Sequence, residues 1–323
     1  MRRFGCLTLV AAAIVTALLA GNFLYGWYAS GPLEQQRTVI IKSGSSLAMA
    51  ARTMESEAVI ESADSFLTRA KILGGSEPIK AGEFEIPAGA SNAVILDILQ
   101  GGKAVQRLIS IPEGTPSILV YEKLMAEELL MGDIAVPEEG SVLPDSYSFE
   151  RGEQRAAVLQ RMQKAMDETL AELWPNRTEE SVVKTPEEAV ILAAIVEKET
   201  ALARERRTVA GVYSNRVRKN MMLQADPTII YPITKGKPLG RRIRQSEIAQ
   251  VNDYNTYAMV GLPKGPIANP GKASIEAVLN PAKTKALYFV ADGKGGHIFA
   301  ETLKQHNANV EKWFAIRRER GEM

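Results

Sequence analysis

Residues 185–200 read TPEEAVILAAIVEKET, and both the fold and the chemistry of the chain turn on how this stretch is read. Thr185 offers a side-chain acceptor at an N-cap, Pro186 suits the first helical position, and a glutamate follows two residues after the cap. The pattern predicts a helix from Pro186 to about Leu202. At about 100° per residue, Ile195 and Val196 fall on either side of Glu199, and Leu192 lies almost directly behind it. Glu199 is therefore a carboxyl set in an apolar stripe. Burial disfavours its charged form and raises its pKa, the adjustment that a general acid working near neutral pH requires. Glu197 projects to nearly the opposite side with Val190, Ala193 and Ala194, so it can support Glu199 but cannot face it across a substrate. A plain structural alternative stays open, a glutamate closing the helix and paired with Arg204, Arg206 or Arg207.

Outward from this helix, 323 residues suffice for two modest domains. Lys+Arg number 39 against 38 Asp+Glu, a formal charge of +1, which supplies no global field to recruit nucleic acid. Cys6 is the only cysteine, which excludes an intrachain disulfide and a thiolate metal cluster. Arg2 and Arg3 precede an uncharged stretch from Phe4 to Leu33, within which Cys6 to Phe23 is apolar. That matches the roughly 20 residues a helix needs to cross a bilayer. Tyr25, Trp27 and Tyr28 follow as an aromatic belt would. The expectation is a cytoplasmic stretch 1–4, a transmembrane helix 5–28 and a linker 29–36. With positive charges before the apolar run, the protein is expected to be single-pass in the inner (cytoplasmic) membrane, its bulk periplasmic or extracytoplasmic. A cleaved signal peptide is the alternative. Its apolar core would span only about 7 to 15 residues, and the best cleavage site, Leu18-Leu19-Ala20, begins with a large residue.

Thr38 to Ile41 is a β-branched run typical of a strand, Leu47 to Met54 has a helical pattern, and Ser62 can cap a further helix carrying Phe66, Ala70 and Leu73. Glu83 to Ile86 alternates like a strand and Asn92 to Leu99 looks helical, so residues 37–107 suit a compact α+β module. Residues 108–150 read as a bridge holding an amphipathic helix around Ile118 to Leu130. Residues 151–323 form the second domain. It opens on a helix from Gln154 to Trp174 with the stripe Val158, Met162, Met166, Leu170. No internal repeat or low-complexity tract interrupts this α+β order.

Past the helix that holds Val209, Val212, Tyr213 and Val217, three loop clusters are unusual for a plain structural domain: LQADPT at 223–228, NDYNTY at 252–257 and GLPKGPIANPG at 261–271. Tyr254, Asn255 and Tyr257, with Thr256 among them, offer flat apolar faces and amide or hydroxyl groups that suit a neutral, hydroxyl-rich ligand such as a sugar. Turn geometry alone would also explain the asparagines and prolines. Glycosidases ordinarily flank the bond with two carboxylates. If the chemistry is glycosidic, either Asp226 helps or the substrate supplies its own nucleophile.

IVEKET at 195–200, Asn215-Arg216, LQADPT, YNTY at 254–257, GLPKGPIANPG and NPAKTKALYFVADGKGGHIFAETLKQHN at 280–307 together resemble the endolytic murein transglycosylases of the YceG-like family, over nearly the whole chain. PDSYSF at 144–149 resembles a family segment ahead of the catalytic domain. The resemblance implies a single membrane helix, a LysM-like domain over 37–107, and a larger C-terminal α+β catalytic domain with a lysozyme-like catalytic helix. It places the catalytic glutamate at Glu199, with Thr200 where lysozyme-like transglycosylases carry serine. Tyr254, Asn255, Thr256 and Tyr257 then position sugar rings, with Asn215, Gln224 and Asp226 as polar wall residues. The implied reaction is lytic cleavage between N-acetylmuramic acid and N-acetylglucosamine, leaving 1,6-anhydro ends on nascent glycan strands beside cell-wall synthases, with no cofactor and no metal. Asp253 departs from the pattern, because a proline or small residue is more usual before YNTY. One rival is a non-catalytic glycan-binding scaffold of the synthesis machinery. A pyridoxal-phosphate lyase would need a Schiff-base lysine and a phosphate cradle. A metal hydrolase is disfavoured because His297 and His306, the only histidines, lack ligand-helix spacing; His297 reads as a structural or subsite residue.

Overall fold

A computed structural model of the chain describes residues 2–42, 44–102, 105 and 107–322. Met1, at the start of the expected cytoplasmic stretch, lies outside them, as do the side chains of residues 2–9, Arg2, Arg3 and Cys6 included. The chain divides into two compact units, Met1–Arg107 and Leu108–Met323.

The first unit holds α1 (Arg2–Tyr28), β1 (Arg37–Ile41), α2 (Leu47–Ser56), α3 (Ala63–Leu73), β2 (Gly82–Ile86) and α4 (Asn92–Gly101). Strands β1 and β2 pair antiparallel with Val39 opposite Phe84. Val39, Ile41, Phe84 and Ile86 are buried with Met54, Phe66, Ile95 and Leu99 from the helices. Ser46, Ser62 and Ser91 cap α2, α3 and α4, each accepting from the amide three residues on.

Helix α1 contains an apolar span, Val10–Tyr28, of 19 residues with mean hydropathy 1.6 and 6% of it buried. Its last turn departs from the expected aromatic belt. Tyr25 and Tyr28 are exposed, but Trp27 is only 2% exposed and packs on Phe66 with ring centroids 5.9 Å apart. The Asn92 amide donates to the Gly26 carbonyl at 2.8 Å and Arg69 Nε to that of Phe23 at 3.1 Å. The segment expected as a free linker is also tied down. Leu33 is buried and accepts from the Gly89 amide at 2.8 Å, while Gly31 N donates to Gly89 O at 3.3 Å. Spacing along the chain could not show this, because the partners lie far off in α3, in α4 and in the loop that precedes α4. Trp27→Ala should therefore destabilise the first unit by about 3–5 kcal/mol, read as lost amide-exchange protection over residues 37–101 in the detergent-solubilised protein. A loss under about 1 kcal/mol, the scale of a surface change, would show that Trp27 is not an anchor.

From the boundary onward come β3 (Arg107–Ser110), whose first residue closes the first unit, then α5 (Ser117–Ala126), β4 (Ser146–Phe149) and α6 (Arg155–Leu173); β3 pairs with β4. Residues 108–150 are not a bridge. Ile109, Ile111, Val120, Leu124, Val142 and Phe149 share one core with Val158 and Met162 of α6. Helix α5 stops at Ala126 rather than near Leu130, because Arg155 donates to the carbonyls of Leu124, Met125 and Glu127 at 2.7–3.3 Å and so satisfies acceptors a helix end leaves open.

The rest comprises α7 (Pro186–Glu199), α8 (Ala203–Arg218), α9 (Pro227–Thr234), the short α10 (Gln245–Ile248), α11 (Lys272–Leu279), the antiparallel hairpin β5 (Tyr288–Ala291) and β6 (His297–Ala300), and α12 (Leu303–Glu319). Every residue of α7 from Ala189 to Val196 is buried. The helix runs through a core that includes Val209 and Tyr213 of α8 and Ile275 and Val278 of α11. A helix that is apolar all round is a central helix. Asn269, fully buried, ties the 261–271 loop to this unit's first elements: its amide donates to Thr115 O and Ser117 Oγ at 2.9 and 3.0 Å, and its Oδ1 accepts from Val142 N at 3.0 Å.

Candidate active site

Helix α7 starts as its sequence indicates, with the Thr185 hydroxyl accepting from Glu188 N at 3.2 Å. It ends three residues before Leu202, at Glu199. Thr200 turns extended (φ −144°, ψ 128°) and its hydroxyl accepts from Leu202 N at 3.1 Å, a local bond that competes with helix continuation. Glu199 is thus the last residue of a buried helix, its backbone held on one side and its side chain directed at open space.

That space is a cavity of about 410 Å³. Glu199 lies in its wall with Tyr213 and Arg216 of α8, Gln224, Asp226, Tyr257, Phe289 of β5 and His306 of α12. Glu199 is partly exposed, toward the cavity, and protein encloses it elsewhere. Burial raises its pKa to about 7. A hydrogen bond with the Tyr213 hydroxyl opposes the rise, the Asp226 charge adds to it, and the Arg216 charge opposes it. The three arginines expected as alternative partners are engaged elsewhere or make no such pair. Arg206 reaches Glu197 at 3.4 Å and Glu113 at 3.5 Å, Arg207 donates to Asn280, and among the described residues no ion pair involves Arg204 or Glu199.

Glu197 faces away from Glu199, as the helical spacing requires. Its Oε2 accepts from Gly271 N at 3.0 Å and its Oε1 meets Arg206, which pins the end of α7 to the 261–271 loop. Of the adjacent pair Asn215 and Arg216, the expectation put Asn215 at the site, and the structure puts Arg216 there. Neighbours on a helix diverge by about 100°, so only one can face the cavity. Asn215 instead donates to Thr284 O and Ala286 O at 2.8 and 3.0 Å. Tyr213 and Arg216 stand three apart on one face of α8, and that spacing is the signal that could have found them. Arg216, 8% exposed, donates to Leu287 O and Leu223 O at 2.7 Å and to Met222 O at 3.3 Å, so it fastens β5 and the 223–228 loop together beside Glu199.

The loop residues separate in the same way. The Tyr257 hydroxyl donates to Asp226 Oδ1 at 2.7 Å, and both line the cavity; burial raises the pKa of that hydroxyl, with the Asp226 bond second. Gln224 lines it too, in a left-handed conformation (φ 52°) between buried Leu223 and Ala225, and such backbone strain concentrates at functional sites. Asn255 and Thr256 have no exposed surface and cannot touch a ligand here. The Asn255 amide donates to the carbonyls of Glu247, Ile248 and Gln250 at 2.6–3.3 Å, and Thr256 Oγ1 meets Thr228 Oγ1 at 2.8 Å and accepts from Ala225 N at 3.0 Å. They hold the loop that presents Tyr257. Tyr254 packs on Tyr231, centroids 4.9 Å apart, and is not in the cavity wall. Asp253 closes its loop by accepting from Lys264 N at 2.9 Å through its carbonyl.

His297 pairs with Glu205 at 2.8 Å, a structural placement. His306 is the histidine at the cavity, stacked on Tyr288 at 5.2 Å, its pKa lowered by burial and then by Arg216. Only its place in the terminal LKQHN segment pointed to it.

A model of the YceG-like family matches residues 39–312. An endolytic murein transglycosylase of Bacillus subtilis is 27% identical over 339 aligned positions, covering 94% of this chain and 93% of its own length. An endolytic murein transglycosylase of Streptococcus pneumoniae is 33% identical over 178 residues, 53% of this chain and 31% of that protein. Among solved structures, a yceG-like protein from Listeria monocytogenes superposes with a TM-score of 0.55 at 27% identity, covering 85% of this chain and 98% of that one.

Proposed function

The chain belongs to the YceG-like family, and from that premise we propose that it is a membrane-anchored lytic transglycosylase that cuts peptidoglycan glycan strands with Glu199. The observation that carries this reading is the Glu199 carboxyl at the end of a buried helix, free of ion pairs among the described residues, facing a cavity and protonated up to a pKa of about 7.

In this reaction protonated Glu199 gives its proton to the glycosidic oxygen between N-acetylmuramic acid and N-acetylglucosamine as the bond to the anomeric carbon breaks. The N-acetyl carbonyl oxygen of the muramoyl sugar captures the oxocarbenium-like centre. Glu199, now a carboxylate, takes the proton of the 6-hydroxyl, whose oxygen closes on the anomeric carbon and releases the acetamide. Asp226 supports the acid form by its charge while Tyr257 holds it in place. Arg216 and the Tyr213 hydroxyl favour the carboxylate that the second half needs. Gln224 and Tyr257 are the sugar-contacting residues of this proposal, and Tyr254 serves behind them.

The apolar span of α1 anchors the chain in the cytoplasmic membrane with its N-terminus inside, and the LysM-like first unit meets the wall beside the synthases whose strands are cut. Mass analysis of products from purified protein and peptidoglycan tests the chemistry. The expected ends are anhydro-muramoyl, lighter by one water than reducing ends, and reducing ends would convert the proposal to a hydrolase. Because the acid form of Glu199 starts the reaction, kcat/KM should fall tenfold per pH unit above about pH 7. A flat profile to pH 9 would remove Glu199 as the acid.

A further inference from the structure

A second cavity of about 410 Å³ lies on the other side of Lys198 and Pro227, which line both it and the catalytic cavity. The two spaces therefore share a wall one residue from Glu199. The lining of the second includes the apolar groups Pro116, Leu119, Ile230, Pro238 and Ile267, with the charged side chains of Glu113, Lys198 and Lys237. There, Glu113 is engaged by Arg206 and Lys237 by Glu122. Lys198 is exposed, makes only a 3.4 Å contact from its ammonium to Gly114 O, and has no carboxylate partner among the described residues. The wall that the two cavities share thus carries a lysine with no carboxylate at ion-pair distance among the described residues, beside an apolar lining.

A glycan strand is neutral along its sugars and does not need such a place. The muramoyl sugar also carries, on its lactyl group, a short peptide with methyl side chains and free carboxylates, and this branch leaves the strand axis beside the bond to be cut. We infer that the second cavity seats this peptide branch, with the Lys198 ammonium taking a branch carboxylate and the apolar wall its methyl groups. The inference rests on the proposed glycan cleavage and adds to it a specificity for strands that still bear their peptides. One charge-assisted hydrogen bond sets the scale at about ten- to a hundredfold in affinity.

The test compares kcat/KM of the full-length, detergent-solubilised protein on peptide-bearing strands and on the same strands stripped by an amidase. Wild type should prefer the peptide-bearing strand at least tenfold, through KM. Lys198→Met keeps the aliphatic stem and removes the charge, and it should bring that ratio to within about twofold of one. Leu119→Trp, which narrows only the second cavity, should do the same. Equal rates on both strands in wild type, or a preference that survives both substitutions, would overturn the inference and leave the cleavage reaction standing. A Lys198→Met protein equally impaired on both strands would also overturn it, because the lysine would then serve the reaction rather than the branch. No Glu199-dependent cleavage of either strand by wild type would bring down the underlying function instead.

Discussion

Glu199→Gln is expected to reduce glycan cleavage by at least about a thousandfold, since general acid catalysis contributes roughly 10²–10⁴ and this one group acts twice. The same substitution is expected to stabilise the fold. A folded-state pKa of about 7 against 4.5 means that the native state binds the proton more tightly than the unfolded chain. The burden is small at pH 4, grows as pH rises through the interval and is fully present above about pH 7. Glutamine cannot ionise and removes it. Discounted for the solvent that reaches the carboxyl from the cavity, the gain is about 2 kcal/mol at pH 8 and near zero at pH 4. Urea unfolding at the two pH values measures it. An inactive variant with a pH-independent stability difference would mean that Glu199 is not buried in its charged form. A Glu199→Gln strain with normal wall growth would favour the scaffold reading over catalysis, and continued release of anhydro-ended fragments would sink the assignment.

The second large effect is expected at Arg216. Its guanidinium donates to three carbonyls in two separate segments, at Leu287, Leu223 and Met222. Arg216→Met leaves the buried Leu223 carbonyl and the part-buried carbonyls of Leu287 and Met222 without this donor and should cost about 3 kcal/mol, at the scale of about 1–3 kcal/mol for an unpaired buried polar group. Arg216→Lys should recover little of it, because an ammonium lacks the planar fork that spans two segments. The pH profile separates this from mere loss of packing. Removing the positive charge near Glu199 takes away one of the influences holding its pKa down, so the alkaline limb of kcat/KM should move upward in Arg216→Lys far less than in Arg216→Met. An unchanged limb in both would show that Arg216 acts on the fold alone.

Local signals in the sequence were legible wherever the controlling interaction is local. The serine and threonine caps, the β1 strand and the period of α6 depend on residues within a turn or two of one another, and they stand where the pattern puts them. Trp27 and α5 depart from the pattern for one cause, a partner far along the chain. From sequence Trp27 reads as an interfacial aromatic because Phe66, on which it packs, is far along the chain, and α5 reads as longer because Arg155, which caps it, is 29 residues past its last residue, Ala126. Asn255 and Thr256 looked like ligand groups because their side chains are polar, but polarity does not say whether the partner is a sugar or the neighbouring backbone.

By itself the sequence determined that one glutamate on α7 is set among apolar residues and that Glu197 cannot share its work, because a 3.6-residue period assigns faces without reference to any other element. Only the tertiary structure decided what Glu199 faces. The cavity draws on α7, α8, the 223–228 loop, Tyr257, β5 and α12, segments spread from residue 198 to residue 306. Its walls exist because a buried central helix must be covered on every side, and the covering elements leave their open space at the helix end, where the backbone stops being helical. Burial, which turns an ordinary carboxyl into an acid with a pKa near 7, is a property of that enclosure and of no single stretch of chain.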